Sequence, residues 1–225
     1  MRAIAATAIA LQWPSFALLV WLGFHCLLRP GEICALRRGH LRLPSDCGSH
    51  QVGVVALTTS KTSSRTARIQ SVTITDQWLL HLLDVYFGPW PALSPLCPGG
   101  SAAFTRRFAT CLSRLGLTGK FMPAGLRGGG AVHHFELFEN LGSLQFRGRW
   151  EVARTLLHYL QIGMATTAFL SLHPVVRSRV EVMGSLSVSL LEGGVLAARP
   201  TVPTRAHDMQ EEISDASVSD EGGSE

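Results

Sequence analysis

Residues 51–75 read QVGVVALTTSKTSSRTARIQSVTIT, and this stretch decides the fold class. Gln51–Thr58 and Thr66–Thr75 are rich in β-branched residues and partly alternate between apolar and polar positions, as half-buried strands do. The polar run between them suits a hairpin loop with Lys61 near its tip, and a short loop joins antiparallel strands. Outward from this pair the chain is patterned for helices. Upstream, Pro14-Ser15 opens an apolar run to Leu28, with Ser15 as the expected cap. Arg29-Pro30-Gly31 breaks that run, and a second helix opens at Gly31–Glu32 with Ile33, Leu36 and His40 at helical spacing. Downstream, Asp76–Phe87 is amphipathic, and Ser101–Leu115 is basic on one side through Arg106, Arg107 and Arg114. Gly125–Phe138, Arg149–Tyr159 and Ala165–Met183 read as further helices, the last interrupted by Pro174. The expected fold is mainly α with a small antiparallel β-sheet, an α+β architecture.

The chain has 225 residues, 46% of them hydrophobic and 16% charged, which excludes a wholly disordered protein and allows one sizeable core. Its net charge of +4 conceals a split. Residues 1–206 carry all 20 Lys and Arg against 9 acids, while 207–225 carry 7 acids and neither Lys nor Arg. A basic body suits a polyanion, and an acidic tail poor in apolar residues suits a disordered end from about residue 197. Eighteen of the cations are arginine, whose planar fork grips phosphate; high-GC coding produces the same bias. Five scattered cysteines without a C-x-x-C support neither a zinc site nor a disulfide framework. The apolar N-terminus is long enough to cross a bilayer, but Pro14 divides it, and Ser15–Leu28 reads as a buried helix, with membrane association the lesser alternative.

Three further strings carry chemistry: L-L-Arg29-P-G-Glu32-I-C-A-L, then G-L-Arg127-G-G-G-A, then G-R-Trp150-E-V-A-R-T-L-L-H-Tyr159. Arg127 and Trp150 are 23 residues apart, and Trp150 and Tyr159 are 9 apart. Opening a phosphodiester without a metal needs a nucleophile, a proton donor for the departing oxygen, and cationic donors around phosphorus. Taken singly, each string has an ordinary structural reading, such as a salt bridge at a helix start or a core tryptophan. In order and spacing together, the strings resemble the catalytic domain of the tyrosine recombinase (phage integrase-like) family, with residues of about 15 to 183 carrying the likeness.

The resemblance implies a role for each residue. Arg29 and Arg127 would clamp the scissile phosphate, and Glu32 would brace them. Lys61 would donate the proton to the leaving oxygen, with Arg65 as the fallback. Trp150 would donate its indole N–H, and Tyr159 would attack phosphorus to give a 3′-phosphotyrosyl link. The family commonly reads His-x-x-Arg at the second arginine, and this chain has Ala124 at the histidine position. DNA contacts are expected from surface arginines, among them Arg37, Arg65, Arg106, Arg107 and Arg149. The implied partner is DNA, with a synaptic tetramer if an N-terminal clamping domain is supplied. No metal or other cofactor is implied, and the location would be nucleus or nucleoid. Residues 1–14 read as a truncated segment, 15–183 as the catalytic domain, and 184–225 as an extension. The other readings are a DNA-binding module without catalysis, which Ala124 favours, and a membrane-anchored protein.

Overall fold

The computed structural model describes residues 1–48, 52–57, 70–117, 119, 121–160 and 167–198. The expected hairpin loop with Lys61 and Arg65, and the acidic tail from residue 199, lie outside them. The order is α1 (Arg2–Ala10), α2 (Pro14–His25), α3 (Pro30–Ala35), a 3-10 turn (Arg38–His40), β1 (Leu41–Arg42), α4 (Pro44–Cys47), β2 (Gly53–Leu57) and β3 (Gln70–Ile74). Then follow α5 (Gln77–Phe87), α6 (Gly100–Leu115), α7 (Gly125–Phe138), α8 (Leu141–Gly148), α9 (Ala153–Tyr159), α10 (Pro174–Ser185) and α11 (Ser187–Ala197). The protein is mainly helical with one small antiparallel sheet, as the strand pattern implies.

The sheet has the order β1-β2-β3, with Val55 paired to Leu41 on one side and Val72 on the other. Leu41, Val55, Leu57, Val72 and Ile74 are buried on its inner face, which is the period-2 burial that fixes strand register. At two residues, β1 is too short to leave a pattern in sequence.

Helix α2 is the axis of the core. Pro14 occupies its first position, where a missing N–H costs nothing, and Phe16–Gly23 are all buried. Ser15 does not cap it: the Ser15 hydroxyl donates to the Leu96 carbonyl at 2.8 Å, tying α2 to the loop before α6. The second helix is shorter than its pattern suggests. It stops at Ala35 because Leu36 turns extended, and His40 falls in the 3-10 turn.

Helices α1 and α11, on either side of residues 15–183, pack into the same core as α2. Ala3–Ile9 of α1 are all buried, and α1 packs on α2, α6, α10 and α11. Leu191 and Val195 of α11 are fully buried, and the Trp78 indole donates to Glu192 Oε1 at 2.5 Å. The alanines of α1 let these helices approach closely. Pro174 starts α10 at its first helical position, after a break at 171–173 that parts it from helical residues 167–170, so the stretch is interrupted there as its sequence implies. Among the described residues no single helix is long and apolar enough to cross a membrane; α10 and α11 pass that test only together, bent by 53°.

A second cluster, Leu27, Ala131, Leu144, Trp150 and Leu156, joins α7, α8 and α9 to the end of α2. Here Gly130 permits close approach, since a Cβ at that position would overlap the Phe24 carbonyl oxygen and lie 2.7 Å from Leu27 Cδ2. Gly130→Ala is therefore expected to cost roughly 1–3 kcal/mol. Urea unfolding checks this, with Gly129→Ala, whose Cβ would meet Phe24 at an ordinary 3.4 Å, as the tolerated control.

The joint between the two clusters contains a pH-sensitive group. His25, at the end of α2, lies 3.4 Å from Asp76, with His133, His134 and Arg147 nearby. Burial pushes its pKa down to about 4; Asp76 partly opposes this, and His134, His133 and Arg147 add to it. Between pH 6.5 and about 4 the unfolded chain binds a proton at this site that the folded chain refuses. Stability is therefore present above pH 6.5 and lost as pH falls towards 4, by about 2–3 kcal/mol. Melting temperature against pH should show this slope, and His25→Asn should flatten it.

Candidate phosphate-binding site

The end of α2, the start of α3, the first turns of α7 and the α8–α9 reversal meet around one buried carboxylate. Glu32 is drawn there by local geometry: Arg29 caps α3 in an extended conformation, and its backbone N–H donates to Glu32 Oε2 at 2.7 Å. The Arg29 side chain returns to the same carboxylate, Nη1 to Oε1 at 2.8 Å. A second guanidinium arrives from 117 residues away, with Arg149 Nη2 donating to Glu32 Oε2 at 2.7 Å. Arg149 closes α8 in the left-handed conformation (φ 57°), which reverses the chain between Gly148 and Trp150.

Arg127 sits in the first turn of α7, only 3% exposed. Its Nη1 donates to the Leu27 carbonyl and its Nη2 to the Gly148 carbonyl, both at 2.6 Å. Leu27 is itself left-handed (φ 53°), and its carbonyl also accepts from Arg149 Nη2 at 3.3 Å. The Arg127 guanidinium lies over the Trp150 ring at 4.4 Å, and Trp150 lies 5.4 Å from the Tyr159 ring. Gly148 is required here because any Cβ would overlap the indole. Tyr159, at the end of α9, is half-buried, and its ring flanks Gly128.

Five of the six residues expected to form the site, Arg29, Glu32, Arg127, Trp150 and Tyr159, are thus linked through consecutive contacts. The sixth, Lys61, is outside the described residues. The spacing that links Trp150 to Tyr159 does not come from one helix: Arg149–Val152 is a non-helical reversal, and α9 begins at Ala153. Arg149 was expected on a DNA-facing surface and instead is buried at the centre, because α8 ends one residue before it and Glu32 offers it a carboxylate. Its sequence signal was adjacency to Trp150. Arg37 is exposed and donates to the Leu93 carbonyl at 2.7 Å. Arg106 is exposed on α6, and half-buried Arg107 lies 5.7 Å from the Trp13 ring. Ala124 is exposed just before α7, where it offers no side-chain donor.

Among the described residues, three neighbouring guanidinium groups share one carboxylate, which only Arg29 and Arg149 touch, so the centre carries excess positive charge. Burial lowers the Arg127 pKa to about 10; Arg29 and Arg149 add to this, and Glu32 and Tyr159 oppose it. Burial lowers that of Arg149 as well, against the attraction of Glu32. Among the described residues, Arg149 Nε and Nη1 are buried without a hydrogen-bond partner. Buried charged donors without acceptors are costly, and an anion bearing several oxygens would satisfy them. Arg29, 39% exposed in its side chain, is the member open to solvent. His133 and His134 serve ring packing and a 3.1 Å contact with the His25 carbonyl, and among the described residues no three His, Cys, Asp or Glu are placed to hold a metal ion. In comparisons with known proteins, no family model, no curated protein and no solved structure matches this chain.

Proposed function

We propose that the arginine centre binds a DNA phosphodiester and that Tyr159 opens it, in the manner of the tyrosine recombinases that the sequence resembles. The observation that carries this reading is the cluster itself: among the described residues, three arginines gathered about one carboxylate, two Arg149 donors without acceptors, and the tyrosine ring reached through Trp150. Arg29 takes non-bridging oxygens from the solvent side, and Glu32 holds it in place. Tyr159 Oη attacks phosphorus, the 5′ oxygen leaves with a proton, and the resulting 3′-phosphotyrosyl ester keeps the bond energy for religation. Lys61 is the proposed donor of that proton. The exposed arginines Arg37 and Arg106 supply salt-sensitive, sequence-independent affinity.

A second reading is an inactive DNA-binding remnant of such an enzyme. Two observations favour it: Arg127 spends both terminal nitrogens on backbone carbonyls, and Ala124 replaces the usual histidine. The two readings separate on a nicked, end-labelled duplex whose cleaved end cannot be rejoined. Label retained on protein in a denaturing gel supports cleavage. Salt-sensitive binding with no retained label supports the remnant.

A further inference from the structure

Beside the arginine centre, and outside it, two thiols meet. Cys34 lies on α3, two residues after Glu32, and Cys97 lies in the loop before α6. The backbone holds their segments side by side: Leu96 N–H donates to the Leu36 carbonyl at 2.9 Å, and Arg37 forms an antiparallel bridge with Pro95. The Cys97 thiol donates to the Gly100 carbonyl at 3.5 Å, and Cys97 and Ser101 are the neighbouring side chains that bear on the Cys34 thiol. Cys34 is half-buried and Cys97 buried, and all five cysteines are free.

We infer that Cys34 and Cys97 form a redox-active dithiol that a low-molecular-weight disulfide, such as oxidised glutathione, converts to an intramolecular disulfide. The thiols differ as an attacking and a resolving pair must. The neighbouring Cys97 side chain, joined by Ser101, lowers the Cys34 pKa, while Cys34 and burial raise the pKa of Cys97. Elsewhere, burial pushes Cys26 up to about 11 and Cys111 up to about 12, which keeps both as unreactive thiols. Cys34, as thiolate, attacks one sulfur of oxidised glutathione and releases one glutathione, which takes the proton Cys34 has given up. Cys97 then loses its proton and attacks the Cys34 sulfur, and the second glutathione leaves with that proton. The protein loses two electrons and two protons, and one oxidised glutathione becomes two reduced ones. The new bond ties α3, which carries Glu32, to the loop that leads into α6.

The test does not depend on the DNA reading, because its readouts are mass and melting. The full chain is treated with oxidised glutathione, quenched, alkylated and digested. The expected product is a cross-link between the Cys34 and Cys97 peptides, two hydrogens lighter than the pair. A rise in Tm on the order of 5 °C, reversed by dithiothreitol, should accompany it. Cys97→Ser should leave glutathione attached to Cys34, and Cys34→Ser should leave Cys97 unmodified. Free alkylation of Cys34 and Cys97 in the treated wild type, or modification confined to exposed Cys47, would overturn the inference.

Discussion

Tyr159→Phe is expected to abolish covalent capture of DNA while leaving DNA affinity unchanged within about twofold. The change removes a single oxygen, the atom that would attack phosphorus, and keeps the ring that packs 5.4 Å from Trp150 and flanks Gly128. Affinity rests on cations, because phosphate neutralisation supplies nearly all non-specific binding, and Tyr159 carries no positive charge. Covalent capture has no second route once the nucleophile is gone. Filter binding at several salt concentrations gives the affinity, and a denaturing gel gives the adduct. A mutant that still forms adducts would assign the nucleophile elsewhere. The other tyrosine, Tyr86, is buried on α5 within the main core, so Tyr86→Phe is the matching control and should keep both activities.

The second large effect concerns Glu32, whose carboxylate is 4% exposed and accepts from the Arg29 backbone, the Arg29 side chain and Arg149. Glu32→Ala leaves Arg149 buried without its counter-charge beside two further guanidiniums. Breaking a buried pair in this way costs about 3–5 kcal/mol, or roughly 10 °C in Tm for a domain of this size. Glu32→Gln retains one acceptor and should lose less. In both variants the centre has lost the one carboxylate that pairs with it among the described residues, so inorganic phosphate should raise Tm more than it does in the wild type, at matched ionic strength. A Glu32→Ala protein that melts with the wild type would show that the pairing contributes nothing to folding. Equal phosphate effects in wild type and variants would deny the centre its anion.

The parts of this architecture legible from sequence are those with a period or a fixed local geometry. Strands β2 and β3 show themselves through alternation, α5 through its apolar stripe, and Arg29-Pro-Gly-Glu32 through the helix-start geometry that turns the carboxylate back on its own cap. The candidate site residues stand out in sequence only through the family resemblance of their order and spacing, and their convergence depends on two left-handed residues, Leu27 and Arg149, that no pattern announces. Both are non-glycine residues with positive φ, where the backbone is held by the interactions it enables. Helix α1 escapes detection as part of the core for the opposite reason. Buried along seven consecutive positions, it has no polar face and hence no amphipathic period. Its role appears in its packing against distant helices, among them α11, whose Gly194 seats Ile9. The burial of Arg149 is equally invisible locally, because its partner lies 117 residues away.

The most direct measurement is to locate the covalent link. Wild-type protein is incubated with the nicked duplex, the complex is denatured, the DNA is trimmed with nuclease, and the modified peptide is sequenced by mass spectrometry. The account predicts a nucleotide joined through its 3′ phosphate to Tyr159, with a free 5′ hydroxyl on the released strand. A link at any other residue, a 5′-phosphate attachment, or no link from protein that binds the same DNA would contradict it.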